Sequence, residues 1–162
     1  MRSYALVLNN SLLFLCTSIY LGTGWSLVLF SFPVAPQLTV DNYYLQFVPQ
    51  VTAATTFFTY MTMLMFILCV VMAVAEWKTP FRWAPIVVLL SVLAATGLTV
   101  TVLLPLNAEM SRHITDPTRL RTVLNEWMPL NIVRVGLWSV QWLAMMLYFA
   151  FKALAAGVGN NR

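Results

Sequence analysis

Four long apolar stretches dominate the chain and restrict the folds that it can adopt. They cover residues 5–30, 51–75, 83–104 and 129–153, and each is long enough to cross about 30 Å of hydrocarbon as an α-helix. Of the 162 residues, 60% are hydrophobic and 9% are charged, whereas a soluble domain carries roughly 25% charged residues. The sequence therefore predicts an integral membrane protein of one domain, residues 1–162, folded as an all-α, four-helix transmembrane bundle.

The connections between these stretches differ in length. Residues 76–80 form a short turn, so the second and third helices are expected to be antiparallel neighbours. The first loop (31–50) and the third loop (105–128) are longer, and we expect them to form a partly helical outer cap over one end of the bundle. Pro105 is predicted to end the third span, and Pro129 to lie in the first turn of the fourth.

The basic residues are spread over loops and chain ends, where they serve as topology signals. The net charge of +4 comes without a dense basic cluster or an interleaved aromatic platform, so nucleic acid is not an expected partner. The first loop contains no Lys or Arg, and the positive-inside rule predicts cytoplasmic N and C termini, with loops 1 and 3 on the extracytoplasmic side. In this orientation the inner side carries Arg2, Lys78, Arg82, Lys152 and Arg162, and the outer side carries Arg112, Arg119 and Arg121.

A run of polar and aromatic residues recurs along the fourth apolar stretch at steps of four and three. On a helix, residues at these steps share one face. Polar groups in hydrocarbon need partners or water, so this face is expected to point into the bundle or into a cavity. The residues on it are Trp127, Asn131, Arg134, Trp138, Gln141, Met145, Tyr148 and Lys152.

Two residues of this face have alternative interpretations. Arg134 lies near one end of its span, where it would hold an anion or oxyanion, snorkel to the headgroups, or pair with Glu126, Glu109 or Asp41. Gln141 lies near the span centre and cannot snorkel. It would either line a polar pocket or form a hydrogen bond between helices.

The third loop contains the one histidine of the chain, His113. Glu109, His113 and Asp116 follow i, i+4, i+7 spacing, which on a helix would place three potential metal ligands on one face. A solvated charge network that includes Arg112 explains the same spacing. His113 is also a candidate general base, since an imidazole titrates near neutrality. The sequence requires no cofactor, although a metal at these residues or a haem held by His113 and a methionine stays open.

Hydroxyl and aromatic side chains cluster in the same half of the spans. The threonines of the second and third stretches would either let helices approach closely or line the polar half of a cavity. The aromatic residues near the loops would form an interfacial belt or wall a pocket for a flat ligand. Cys16 and Cys69 lie inside apolar stretches and are interpreted as small buried residues.

One pattern joins the third and fourth spans. The tripeptide Pro-Leu-Asn at 105–107 closes the third span, a variable polar loop follows, and Trp127, Asn131 and Arg134 open the fourth at steps of four and three. On a chain of four spans this pattern resembles the small membrane proteins grouped with anthrone oxygenases, many of which have no known reaction. The stretch Ser-Phe-Pro-Val-Ala-Pro at 31–36 is compatible with that family.

The resemblance implies a membrane-embedded oxidoreductase that acts on a flat aromatic or quinone-like molecule in a pocket under the outer loops. An anthrone is acidic at one ring carbon, and its anion reacts with dioxygen without a metal. Such a site needs aromatic walls, a base, and donors for the oxyanion. The residues that match these roles are Trp127 and Trp138 as walls, Arg134, Asn131 and Asn107 as oxyanion donors, and His113 or Glu109 as base, with Gln141 in the pocket.

A second function is compatible with the same features. A non-catalytic subunit or assembly factor would bury the apolar surfaces of the first three spans against other membrane subunits, or against a second copy of the chain. The expected partners are therefore the lipid bilayer, a flat aromatic or quinone-like small molecule, and further membrane subunits.

Overall fold

All regular structure in the described part of the protein is helical. The computed structural model describes the backbone of residues 2–160 and the side chains of residues 4–157, so the side chains of Arg2 and Arg162, used above for orientation, lie outside the described part. Four continuous helical segments, called rods here, are long and apolar enough to cross a membrane, which confirms the predicted all-α four-helix bundle. In chain order they are Tyr4–Ser31, Tyr43–Glu76, Pro80–Met110 and Pro117–Gly157. The α-helices are α1 (Arg2–Ser26), α2 (Tyr43–Glu76), α3 (Trp83–Leu98), α4 (Leu104–Met110) and α5 (Pro117–Asn160).

Two of the rods run past the prolines that were expected to delimit them. A π-helical segment, Thr99–Leu103, joins α3 to α4, so Pro105 does not end the third helix. It lies in the first turn of α4, where a missing N–H is tolerated. The fourth rod begins at Pro117 rather than Pro129, and Asp116 caps it by accepting a 2.9 Å hydrogen bond from the amide of residue 118.

Each of the four rods packs against two others. α1 contacts α2 and α5, and α3 together with α4 contacts the same two helices, so α1 stands diagonally across the bundle from α3. A short turn with a 3₁₀ segment, Pro80–Arg82, joins α2 to α3. These two helices are antiparallel neighbours, as predicted. Cys16 and Cys69 are buried without a disulfide, as expected.

The loop end of the bundle, which carries loops 1 and 3, has its own apolar core. This core includes Leu38 from loop 1, Met110 from α4 and Leu124 from α5. Tyr43, at the start of α2, is fully buried beneath loop 3. Its hydroxyl donates to the carbonyl of Met110 at 3.0 Å and accepts from the amide of Ile114. The loops therefore form a packed cap over the bundle.

A buried polar cluster joins three helices at the opposite end, called the turn end. Glu76, at the end of α2, accepts hydrogen bonds from Tyr148 at 2.7 Å, from Thr79 at 2.6 Å and from Lys152. Asn10 of α1 donates to the Tyr148 hydroxyl at 2.8 Å. At the turn end of the α5 polar face, Tyr148 and Lys152 thus have hydrogen-bond partners on α1 and α2.

Candidate functional site

A cavity of about 810 Å³ lies among the four rods at the loop end. Its volume falls within the roughly 300–1,000 Å³ typical of small-molecule sites. Loop 1 contributes Phe32, Val34, Ala35 and Leu38 to its lining. The other lining residues come from α1 and the π-helical segment Leu27–Ser31 that continues it, from α2, from the third rod and from α5. The space therefore lies under the cap and between the spans.

Arg134 of α5 reaches into this cavity. Its Nη2 donates to Oδ1 of Asn131, its Nη1 lies 3.5 Å from the hydroxyl of Thr99, and its guanidinium carbon stands 4.7 Å from the ring centroid of Trp138. Its Nε is buried and has no hydrogen-bond partner among the described residues. A guanidinium has five N–H donors, and the contacts with Asn131 and Thr99 use one from each Nη atom, so donors on the Nη atoms are left for another group.

No acid among the described residues balances the charge of Arg134. Every other described residue in the cavity lining is uncharged. Glu109, one of its expected partners, is paired instead with Arg119 through hydrogen bonds of 2.6 and 2.7 Å. The ion pairs of the described part, Arg119–Glu109 and Lys152–Glu76, leave Arg134 out. A cation removed from water without a counter-charge is costly, so the cavity favours a ligand with negative charge or an electron-rich oxygen.

Asn131 orients Arg134 from behind the lining. It is fully buried and is not itself part of the cavity wall. Its amide nitrogen donates to the carbonyl of Trp127 at 2.8 Å, which fixes Oδ1 as the acceptor for Arg134. The indole nitrogen of Trp127 in turn donates to Oδ1 of Asn107 at 2.8 Å. The residues of the pattern that joins the third and fourth spans therefore form one hydrogen-bonded group at the loop end of the cavity. They are Asn107, Trp127, Asn131 and Arg134.

Aromatic rings wall the cavity at two levels. The ring centroid of Trp138 lies 4.7 Å from that of Tyr20 and 5.8 Å from that of Phe58. Nearer the cap, the ring of Phe47 lies 4.8 Å from Trp127. These residues all line the cavity, Trp127 and Trp138 among them. Flat rings of this kind suit a flat ligand.

Gln141 lies deeper in the same cavity. Its side chain is 1% exposed, and its Oε1 has no hydrogen-bond partner among the described residues. That oxygen therefore does not form the interhelical hydrogen bond considered above. Further hydroxyl groups line the cavity from α2 and the third rod, namely Thr55, Thr59, Thr62, Thr96 and Thr99.

The structure keeps both candidate bases out of the cavity lining. His113 lies in the loop between α4 and α5 with a φ of 60°, and its exposed ring lies 4.8 Å from the ring of Tyr44. Because α4 ends at Met110, the helical face expected for Glu109, His113 and Asp116 does not form. No group of three His, Cys, Asp or Glu side chains within the described residues is arranged to hold a metal.

Some lining residues were not anticipated from the sequence. Tyr20 of α1 lines the cavity. Its hydroxyl donates to the carbonyl of Phe58 at 3.1 Å and lies 2.6 Å from the hydroxyl of Thr62. A tyrosine in the middle of an apolar span was the available signal, since its hydroxyl needs a partner there. Among the lining residues of loop 1, Phe32 is one of the aromatic residues considered above as pocket walls, whereas Ala35 and Leu38 offered no comparable signal.

No protein-family model, curated protein or solved structure matches the chain. A function for the cavity therefore has to come from its own residues.

Proposed function

We propose that this protein binds a flat aromatic or quinone-like molecule within the membrane and promotes its oxidation in the cavity under the cap. The observation that carries the proposal is the position of Arg134, a cation without a carboxylate partner beside the aromatic wall of Trp138. Binding a carbonyl or phenolate oxygen would supply the missing counter-group. The rest of the ligand would lie against the rings.

The physical preference for such a ligand has two sources. Hydrogen bonds from a guanidinium to an anionic oxygen are about twice as strong as neutral ones. Stacking on Trp138, Tyr20 and Phe58 favours a planar apolar body over a flexible one. A single aromatic oxyanion satisfies both parts of the site.

The reaction proposed for an anthrone-like ligand uses Arg134 to stabilise an oxyanion. Loss of a proton from the ring carbon gives an anion whose charge is shared with the carbonyl oxygen, and Arg134 lowers the free energy of that anion. The electron-rich carbon then reduces dioxygen, so that anthrone and O₂ yield anthraquinone and water. Since neither His113 nor Glu109 borders the cavity, we propose that water accepts the proton.

Binding can be tested with the protein in lipid nanodiscs. Titration with an anthrone and with the matching anthraquinone should quench tryptophan fluorescence, and the anthrone should show protein-dependent oxygen uptake. Arg134→Gln is expected to weaken binding by about tenfold or more, because hydrogen bonds to charged groups contribute roughly 1.5–3 kcal/mol. Arg112→Gln, which removes an exposed arginine of loop 3, is the matched control.

Two results would contradict the proposal. If a folded Arg134→Gln variant binds with wild-type affinity, Arg134 does not contact the ligand oxygen. Absence of binding together with stoichiometric co-purification of another membrane protein would instead favour a non-catalytic subunit.

We also propose that the termini are cytoplasmic and that loops 1 and 3 are extracytoplasmic. Lys78 and Arg82 support this orientation at the turn end. Single cysteines at position 78 or 112 can be labelled with a membrane-impermeant maleimide, because the native Cys16 and Cys69 are buried. Only position 112 should react from outside intact cells.

A further inference from the structure

Gln141 is a second polar side chain in the cavity that could contact the ligand, in addition to Arg134. It follows Arg134 by seven residues on α5, which places it on the same helix face about 10 Å further along the axis. It lines the cavity, it is 1% exposed, and its Oε1 is unpaired among the described residues. Buried polar groups nearly always have a partner, so this amide points to a group that enters the cavity.

Aromatic rings line the cavity between Arg134 and Gln141. Trp138 lies between Arg134 and Gln141 on α5, and its ring packs against Tyr20 and Phe58. The hydroxyl of Tyr20 is already bonded to the carbonyl of Phe58 and lies against Thr62. Threonine hydroxyls also line the cavity, but Gln141 has the buried side-chain oxygen without a partner among the described residues, which favours it as the partner of a ligand group that passes Trp138.

We infer that the ligand is an elongated aromatic molecule with polar groups at both ends: an anionic or carbonyl oxygen for Arg134, and a hydroxyl or N–H donor for the amide of Gln141. This inference rests on the proposed function and specifies its substrate class. A molecule with one polar head and an apolar tail, such as a fatty acid, would leave the Gln141 amide unpaired against hydrocarbon. The cavity selects against it for that reason.

Three fused-ring probes test the inference on the protein in nanodiscs. The first is a monohydroxyanthraquinone, the second carries an additional hydroxyl at the far end of the ring system, and the third carries a methyl group in place of that additional hydroxyl. Wild-type protein is expected to bind the second probe about tenfold more tightly than the third. The methyl group has nearly the size of a hydroxyl, so the difference reports the hydrogen bond.

Variants assign that difference to one residue. Gln141→Leu should abolish the preference for the second probe without weakening the first, and Gln141→Met serves if the leucine variant folds poorly. Gln37→Leu is the matched control, because Gln37 is an exposed glutamine of loop 1 that does not line the cavity. Arg134→Gln should weaken all three probes.

The outcomes separate this inference from the function on which it rests. If wild-type protein binds the second and third probes equally while Arg134→Gln still weakens both, the ligand makes no hydrogen bond to Gln141. In that case the inference fails and the proposed function stands. If the preference persists in Gln141→Leu, Gln141 is not the partner and the inference fails. If wild-type protein binds none of the probes, the proposed function fails with it.

Discussion

Gly24 lies so close to Trp138 that a Cβ atom at position 24 would stand 2.7 Å from Cε3 of the indole. The same atom would lie 2.9 Å from Cγ2 of Val135. The backbone of α1 therefore approaches the aromatic wall of the cavity as closely as a residue without a side chain permits. Because Trp138 also contacts Tyr20 and Phe58, the position of its ring depends on this approach.

Gly24→Ala is expected to displace the ring of Trp138 and to destabilise the protein. Overpacking of this kind costs about 1–3 kcal/mol, and ligand affinity should fall with the loss of the wall geometry. Gly22→Ala is the control, because a Cβ there meets nothing within 4 Å. It should leave stability unchanged or raise it through helix propensity. Unfolding followed by circular dichroism in detergent measures both variants, and equal stability of the two would contradict the close contact.

Asn131→Asp should weaken the binding of an anionic ligand. The carboxylate would contact Arg134 directly and balance its charge, so that the ligand oxygen is no longer required as counter-group. We expect a loss of about tenfold, by analogy with removing a charge-assisted hydrogen bond. Asn125→Asp introduces the same change at an exposed position of α5 and should bind like wild type. Unaltered binding in a folded Asn131→Asp protein would argue against Arg134 as the oxygen contact.

His113→Asn and Glu109→Gln should both retain ligand binding and oxygen uptake. Neither residue lines the cavity, so a role as base has no geometric support. Asn tolerates the φ of 60° at position 113, and Glu109→Gln weakens only an ion pair with Arg119 that is partly exposed. Oxygen uptake measured with an anthrone checks this prediction. A loss beyond about tenfold in either variant would show that loop 3 closes onto the cavity during turnover.

At the turn end, Lys152→Met should destabilise the protein more than Glu76→Gln. The side chain of Glu76 is 3% exposed and that of Lys152 is 43% exposed. Removing the lysine leaves a carboxylate buried without its cation, whereas removing the carboxylate leaves an ammonium group that water can reach. We expect about 1–3 kcal/mol for Lys152→Met and less for Glu76→Gln.

The double variant Glu76→Gln with Lys152→Met provides the matching control. It should recover part of the stability lost in Lys152→Met, as a thermal unfolding cycle would measure. Strictly additive losses would show that the two groups do not interact.

The sequence predicted that the polar face of α5 is buried, but not which partners its two ends have. Steps of four and three placed Asn131, Trp138 and Gln141 on one face, and the structure buries all of them. Periodicity could not show that this face serves two purposes. Its lower part is bonded to Glu76, 72 residues away from Tyr148 in the chain, and its upper part borders a cavity. Only the partners from other helices separate the two parts.

What the sequence by itself determined is the number of spans, their helical character and the inward face of α5. Hydropathy and the helical repeat are local properties, and a bilayer leaves few alternatives to a helix. What only the tertiary structure decided is which groups remain without a partner. The unbalanced charge of Arg134, the unpaired Oε1 of Gln141 and the close contact at Gly24 rather than Gly22 are relations between distant segments, and the packing of whole helices sets them.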